Sequence, residues 1–119
     1  MTVRHILSQK GRDVVTVKPD STLQEVAVLM SDKGIGAVVV CGRDGDIAGI
    51  LSERDIMRTI ATNGGDALKE RVSSHMSTQV ISCEEGTTVQ VIMEKMTAGR
   101  FRHMPVVTDG QLVGMISIG

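Results

Sequence analysis

Ser52, Arg54 and Asp55 lie where an apolar run, residues 47–52, gives way to a helical pattern that starts at Glu53. Together they can hold a phosphorylated ribose. A carboxylate accepts hydrogen bonds from two adjacent hydroxyls at once, and hydroxyl, guanidinium and backbone N–H groups hold phosphate. The positive end of a helix adds to that attraction. On this reading Asp55 takes the ribose, and Ser52 and Arg54 take the phosphate. The same residues also have a plain structural use: Ser52 as a helix cap and Asp55 as a first-turn acid facing the dipole.

Other polar residues interrupt apolar runs. Thr16 and Ser82 are hydroxyls inside strand-like segments, and Lys18 follows Thr16 closely. Such a hydroxyl bonds neighbouring backbone as readily as a ligand, and a lysine there is equally at home in solvent. Arg102 and His103 stand just before Met104 and Pro105. A period of two sends them to opposite faces of a strand.

Several chemistries are excluded. His5, Cys41, His75, Cys83 and His103 form no paired ligand spacing for a structural metal. No nucleophile, base and orienter fall together, and there is neither a P-loop nor a G-x-G-x-x-G, so no catalytic residue is assigned. One Phe and no Trp or Tyr among 119 residues leave no stacking platform for nucleic acid, and a net charge of −1 gives no basic field to attract one. With 41% hydrophobic and 23% charged residues the composition is that of a globular domain, its core built from Val, Ile, Leu and eight Met. The N-terminus lacks the apolar core of a signal peptide, and no window is long and apolar enough to span a membrane. A cytoplasmic protein is expected, with Cys41 and Cys83 as buried free thiols.

The elements that position these residues come from an internal duplication. Leu23, Val26, Ala27 and Met30 match Val89, Ile92, Met93 and Met96 at a constant spacing. Both sets follow the i, i+3, i+4, i+7 stripe of an amphipathic helix, so residues 21–33 and 87–98 are expected to be helical. Ser21 with Gln24 and Thr87 with Gln90 suit a capping box, and Gly34 and Gly99 suit the helix ends. Residues 14–17 and 80–83 read as strands before the helices, residues 35–41 and 101–108 as strands after them. Asp44–Gly45 and Asp109–Gly110 mark hairpin turns, followed by strands at 47–52 and 112–118. Gly49 then matches Gly114, and Ser52 matches Ser117. The first copy adds a helix from Glu53 to about Thr62, with Ile56, Met57, Ile60 and Ala61 on one face, closed by Asn63–Gly64–Gly65. Val3, Leu7 and Ser8 match Val72, Met76 and Ser77 as lead-in segments, with Lys10–Gly11–Arg12 inserted in the first copy. The second copy reads as truncated at its C-terminus, one residue short of a match for Asp55. The divisions expected are a first domain at 1–62, a linker at 63–74 and a second domain at 75–119. Neither half is large enough to fold comfortably alone.

Two copies of strand–helix–strand–strand, the first closed by a further helix, resemble a pair of CBS domains, or Bateman module. Gly49–Ile50–Leu51–Ser52–Glu53–Arg54–Asp55 is similar to the family's Gly-x-x-Ser/Thr-x-x-Asp element. Arg102–His103–Met104–Pro105–Val106–Val107 is similar to its apolar second strand. The likeness covers nearly the whole chain and leaves no catalytic domain beside the pair, so the chain resembles a stand-alone CBS domain protein. The resemblance implies an α/β (α+β) fold of two βαββ(α) repeats packed by pseudo-twofold symmetry. It implies a regulatory module without required cofactor that binds AMP, ADP, ATP, NAD(H) or S-adenosylmethionine in clefts between the repeats. It also implies a homodimer and a regulated partner protein. By the same resemblance Thr16 and Ser82 stand at the clefts, with Lys18 in reach of a phosphate. Ala37 and Val38, with Met104 and Pro105, line a slot for the base. Of Arg102 and His103 one can face the cleft and the other solvent, with Arg102 expected to contact an anion or the dimer interface, and Ser117 stands in for Ser52 in the second cleft. Gly36 and Ala37 hold the places of Arg102 and His103 in the first copy, so only the second cleft has a cationic wall. The alternative is a dimerisation or protein-interaction module that binds no nucleotide.

Overall fold

The computed structural model describes residues 1–118 and groups them into two compact units. One is the continuous stretch Val15–Gln79; the other joins Met1–Val14 to the chain from Val80 onward. The fold is mixed α+β, as expected.

In the first unit β1 (Thr16–Val17), β2 (Ala37–Cys41) and β3 (Ile47–Ser52) form a sheet in that order, β1 parallel and β3 antiparallel to β2. Val38, Val39 and Val40 lie side by side in β2 with no exposed surface. A strand covered on both faces needs such an unbroken run of β-branched residues. Two helices pack with this sheet: α2 (Leu23–Lys33), which follows α1 (Val3–Lys10) in the chain, and α3 (Glu53–Asn63). Leu23, Val26 and Met30 turn inward to meet Val38, Val40, Leu51 and Ile56 in one apolar cluster. Each fully buried Leu or Val in such a cluster contributes about 1.5–3 kcal/mol. Beyond α3 the chain makes two 3₁₀ turns, Gly65–Lys69 and Val72–Ser74, and Val72 closes the same cluster.

The second unit repeats the plan. α4 (Val89–Gly99) packs with an antiparallel hairpin of β4 (His103–Thr108) and β5 (Gln111–Ser117). Asp109 and Gly110 both take positive φ at the hairpin turn, as a two-residue type I′ turn requires. The helix α1 (Val3–Lys10) belongs to this unit, with Val3 and Leu7 in a cluster beside Cys83, Ile92, Met96, Met104, Val106 and Ile116. The lead-in segments are thus exchanged relative to chain order. The first covers the second repeat, and the second covers the first. Their hydrogen bonds correspond pair by pair. The Val3 N–H donates to Thr87 O at 2.9 Å, and the Val72 N–H to Ser21 O at 2.8 Å. The Arg4 N–H donates to Glu85 O, and the Ser73 N–H to Pro19 O.

Four sequence-based expectations are corrected. The caps are Thr22 and Thr88, one residue after Ser21 and Thr87; each hydroxyl accepts the N–H three residues on, from Glu25 and Val91. Ser21 is committed elsewhere, its N–H to Lys18 and its carbonyl to Val72. Residues 80–83 form no strand: only Cys83 bridges to Val106, its N–H donating to Pro105 O and its carbonyl accepting from the Val107 N–H. In α3, Ile56 and Thr59 face inward, while Met57 and Ala61 are exposed and Ile60 lies at 36% exposure. Last, α4 does not end at Gly99 in the left-handed conformation. Gly99 is its final helical residue, and Arg100 takes φ 58°. A side chain at 99 would collide with the Phe101 ring, which lies against that Cα. The left-handed conformation costs a non-glycine residue roughly 1–2 kcal/mol, more than the ~0.3–1 kcal/mol a cation gains from a helix C-terminus. At α2 the order is reversed, Lys33 in the last turn and Gly34 at φ 63°.

Candidate functional site

Pairing in the two sheets puts the candidate residues side by side in equivalent places. Ala37 lies opposite Ser52 across β2 and β3, and His103 lies opposite Ser117 across β4 and β5. In the first unit this pair ends the sheet where α3 begins. The Glu53 N–H donates to Gly36 O at 2.9 Å and ties the start of α3 to the start of β2.

Ser52 and Asp55 form a closed capping box. Asp55 Oδ2 accepts the Ser52 N–H at 2.9 Å and the Ser52 hydroxyl at 3.0 Å. Ser52 Oγ in turn accepts the Asp55 N–H at 3.3 Å. The other carboxylate oxygen, Oδ1, stands 3.5 Å from Arg58 Nη1, a loose contact with an exposed guanidinium. The structural use of these residues is therefore realised, and Oδ1 is the less committed oxygen. Arg54, Thr16 and Lys18 are exposed. Val38 has no exposed surface and Ala37 only 7%, so both are core.

In the second unit Ser82, Arg102 and Ser117 are exposed and His103 is half-buried. The Arg102 carbonyl accepts the Ile118 N–H at 3.0 Å, which fixes its backbone beside the end of β5. Met104 is wholly buried and Pro105 buried. Arg100, also exposed, stands where the first copy has Gly34.

Among the described residues each unit has a hollow. One of about 450 Å³ in the first unit has Ala27, Met30, Ser31, Gly36, Glu53 and Ile56 among its lining residues. None of the candidate residues lines it. A smaller one, about 100 Å³ in the second unit, lies among Ile6, Lys10, Ile92, Met93, Ile116 and Ser117.

Two carboxylates brace the exchanged segments. Glu85 pairs with Arg12 and accepts the Thr108 hydroxyl at 3.0 Å; these bonds, Arg12's first, hold its carboxyl below the ordinary range. Glu70 contacts His75 at 2.9 Å and accepts from Asn63 at 3.3 Å, and the His75 bond foremost lowers its carboxyl. Cys41 and Cys83 are free thiols, raised chiefly by burial, Cys83 buried and Cys41 half-buried. Among the described residues no group of His, Cys, Asp or Glu could hold a metal ion, and no helix is long and apolar enough to cross a membrane.

The CBS domain profile matches residues 3–62 and 72–119. A relative from Bacillus subtilis, the CBS domain-containing protein YhcV, is 33% identical over 106 residues, covering 89% of this chain and 74% of that protein. The mitochondrial CBS domain-containing protein CBSX3 of Arabidopsis thaliana is 31% identical over 126 residues; the chain spans 61% of its length. Among solved structures, a CBS-domain containing protein from Agrobacterium tumefaciens superposes with a TM-score of 0.96 at 46% identity, over 99% of this chain and 88% of that one. A CBS domain protein from Pyrobaculum aerophilum, complexed with AMP, superposes at 0.87 with 28% identity, over 98% and 87% of the two chains.

Proposed function

Since the chain belongs to the CBS domain family, we propose that it is a non-catalytic regulatory module of the cytoplasm that binds an adenosine nucleotide and signals its presence to a partner protein. AMP, ADP, ATP and NAD(H) are the ligands proposed. The observation that carries this reading is the Ser52–Asp55 pair, held rigidly at the start of α3 with Asp55 Oδ1 only loosely engaged. A fixed carboxylate with one spare oxygen suits ribose hydroxyls. The AMP complex of the Pyrobaculum relative supports the ligand class. Thr16, Lys18 and Arg54 in the first unit, and Ser82, Arg102, His103 and Ser117 in the second, are the proposed polar contacts. Ala37, Val38, Met104 and Pro105 form the apolar ground behind them. The assembly proposed is a homodimer, joined through helices whose exposed apolar residues include Val28 and Met57.

The rival reading, an interaction module without nucleotide, is favoured by the engagement of Asp55 in its own capping box. Melting curves with AMP, ADP, ATP and NADH separate the two. A ligand at a hundred times its Kd stabilises the fold by about 2.7 kcal/mol. Asp55→Ala is expected to weaken binding about tenfold, the effect of losing one charge-assisted bond. No shift with any nucleotide would leave only the interaction module.

A further inference from the structure

We infer that Asn63 is a site of spontaneous deamidation, a reaction with water that sets a carboxylate against Glu70 at the end of α3. The chemistry lies in the chain itself and needs no bound ligand.

Asn63 is the only asparagine of the chain, and Gly64 and Gly65 follow it. The backbone nitrogen of Gly64 adds to Cγ of Asn63 and closes a succinimide ring. The N–Cγ bond forms, the Cγ–Nδ2 bond breaks, and ammonia leaves with the proton of the Gly64 amide. Water then opens the ring at either carbonyl and gives aspartate or isoaspartate. No oxidant or reductant takes part. A side chain on the following residue hinders the first step by crowding the backbone nitrogen, and glycine has none. Asn63, Gly64 and Gly65 are all exposed, and nothing stands within 4 Å of where a Cβ on either glycine would lie. Ring and water both have room.

Two contacts restrain the reactants. The Gly64 N–H donates to Ile60 O at 2.8 Å, and the Asn63 side-chain amide donates to Glu70 Oε2 at 3.3 Å. The second is long for such a bond. Asn63 is also the last residue of α3, where a helix frays most easily. Breaking one backbone bond there frees the attacking nitrogen.

Glu70 gives the change its effect. Its Oε1 lies 2.9 Å from His75 Nε2, and its carbonyl accepts the Leu23 N–H at 2.9 Å at the start of α2. The next residue, Arg71, bridges to Thr22. One residue thus joins the end of α3, the start of α2 and the turn that carries Val72 into the core. Deamidation replaces the donor facing Oε2 with a second carboxylate, so a bond is lost and like charges meet. The new charge also opposes the dipole at the C-terminus of α3.

Warm incubation of the full chain at mildly alkaline pH, followed by peptide mass spectrometry, tests this. The folded chain is expected to gain the mass of an amide-to-acid exchange in the peptide that carries Asn63. Its rate should be about tenfold below that of the chain unfolded in urea, the cost of opening one backbone hydrogen bond. Asn63→Gln, which must close a larger ring, is expected to show no gain in that time. Asn63→Asp is expected to melt roughly 2–6 °C below the wild type. The gap should shrink in a Glu70→Gln background, where no carboxylate faces residue 63. A folded chain still unconverted when the unfolded chain has converted completely overturns the inference. A melting gap equal in both backgrounds overturns the part assigned to Glu70.

Discussion

Leu7 fills the space over Gly114 as Met76 fills the space over Gly49. A methyl group built on Gly114 would meet Leu7 Cδ1 at 2.8 Å, and one on Gly49 would meet Met76 Sδ and the Ser77 carbonyl oxygen, both at 2.7 Å. These two glycines sit at matching places in β5 and β3, and each accepts the lead-in segment of the other repeat. Close approach, and not a special φ, is what requires glycine at both positions.

The obstacle at Gly49 includes backbone, whereas that at Gly114 is the tip of a side chain. Gly49→Ala is therefore expected to destabilise by about 2–3 kcal/mol and Gly114→Ala by about 1–2 kcal/mol. Leu7→Ala leaves a cavity worth roughly 2–5 kcal/mol. Gly114→Ala in that background should cost less than it does alone. Denaturant unfolding of the four proteins in this cycle measures the coupling; strict additivity would mean that Leu7 and Gly114 do not compete for the same space.

The helix caps give a test of register. Thr22→Ala and Thr88→Ala should each lower stability by ~1 kcal/mol, because each leaves a helix N–H without its acceptor. Ser21→Ala should cost less than about 0.5 kcal/mol, since Ser21 contributes only backbone bonds here. Thermal unfolding distinguishes these outcomes, and a larger loss for Ser21→Ala than for Thr22→Ala would place the cap one residue earlier.

Ser52 and Asp55 serve one capping box, so their substitutions should not add. Ser52→Ala and Asp55→Ala are each expected to cost about 1 kcal/mol, and the double variant only slightly more than either. Additive losses, measured by urea unfolding, would show that the two residues act independently.

Acid sensitivity follows from Glu85. Arg12 and then Thr108 favour its ionised form, so its folded pKa lies below the ordinary value of 4.5. A carboxyl depressed in this way stabilises the fold above its unfolded pKa, and the contribution disappears as pH falls through the folded value. Glu85→Gln should melt below the wild type at pH 7, and the gap should close as the pH drops from about 5 toward 3. A gap that stays constant over that interval would mean that the Arg12 pairing contributes nothing.

Much of this arrangement was legible in the residues. The stripes Leu23–Val26–Met30 and Val89–Ile92–Met96 announce the two helices, because inward positions in a helix recur every three or four residues. The Asp–Gly turns announce both hairpins, but the opposition of Ala37 to Ser52 and of His103 to Ser117 depends besides on a one-residue shift of register in each, between Val40 and Cys41 and between Val106 and Val107. What stayed hidden depends on contacts between distant segments. Matching Val3 and Leu7 to Val72 and Met76 reveals two equivalent lead-in segments but not which sheet each covers. Ser21 and Thr22 offer adjacent hydroxyls, and only the bond from Val72 to the Ser21 carbonyl decides between them. The left-handed conformation of Arg100 was hidden too, since the glycine beside it, Gly99, is the residue that local preference would place there.

The exchange of lead-in segments also has a consequence for synthesis on the ribosome. Val15–Gln79 is uninterrupted, so all its partners have been translated once residue 79 has been made. Val3 and Leu7 are made earlier still, yet their cluster needs Cys83, Ile92, Met104 and Ile116. At translation rates of about 5–20 residues per second, the nascent N-terminal arm waits several seconds more with its apolar face unclaimed. Residues made before Val15–Gln79 are thus buried after it, and during that interval their apolar face is open to a chaperone.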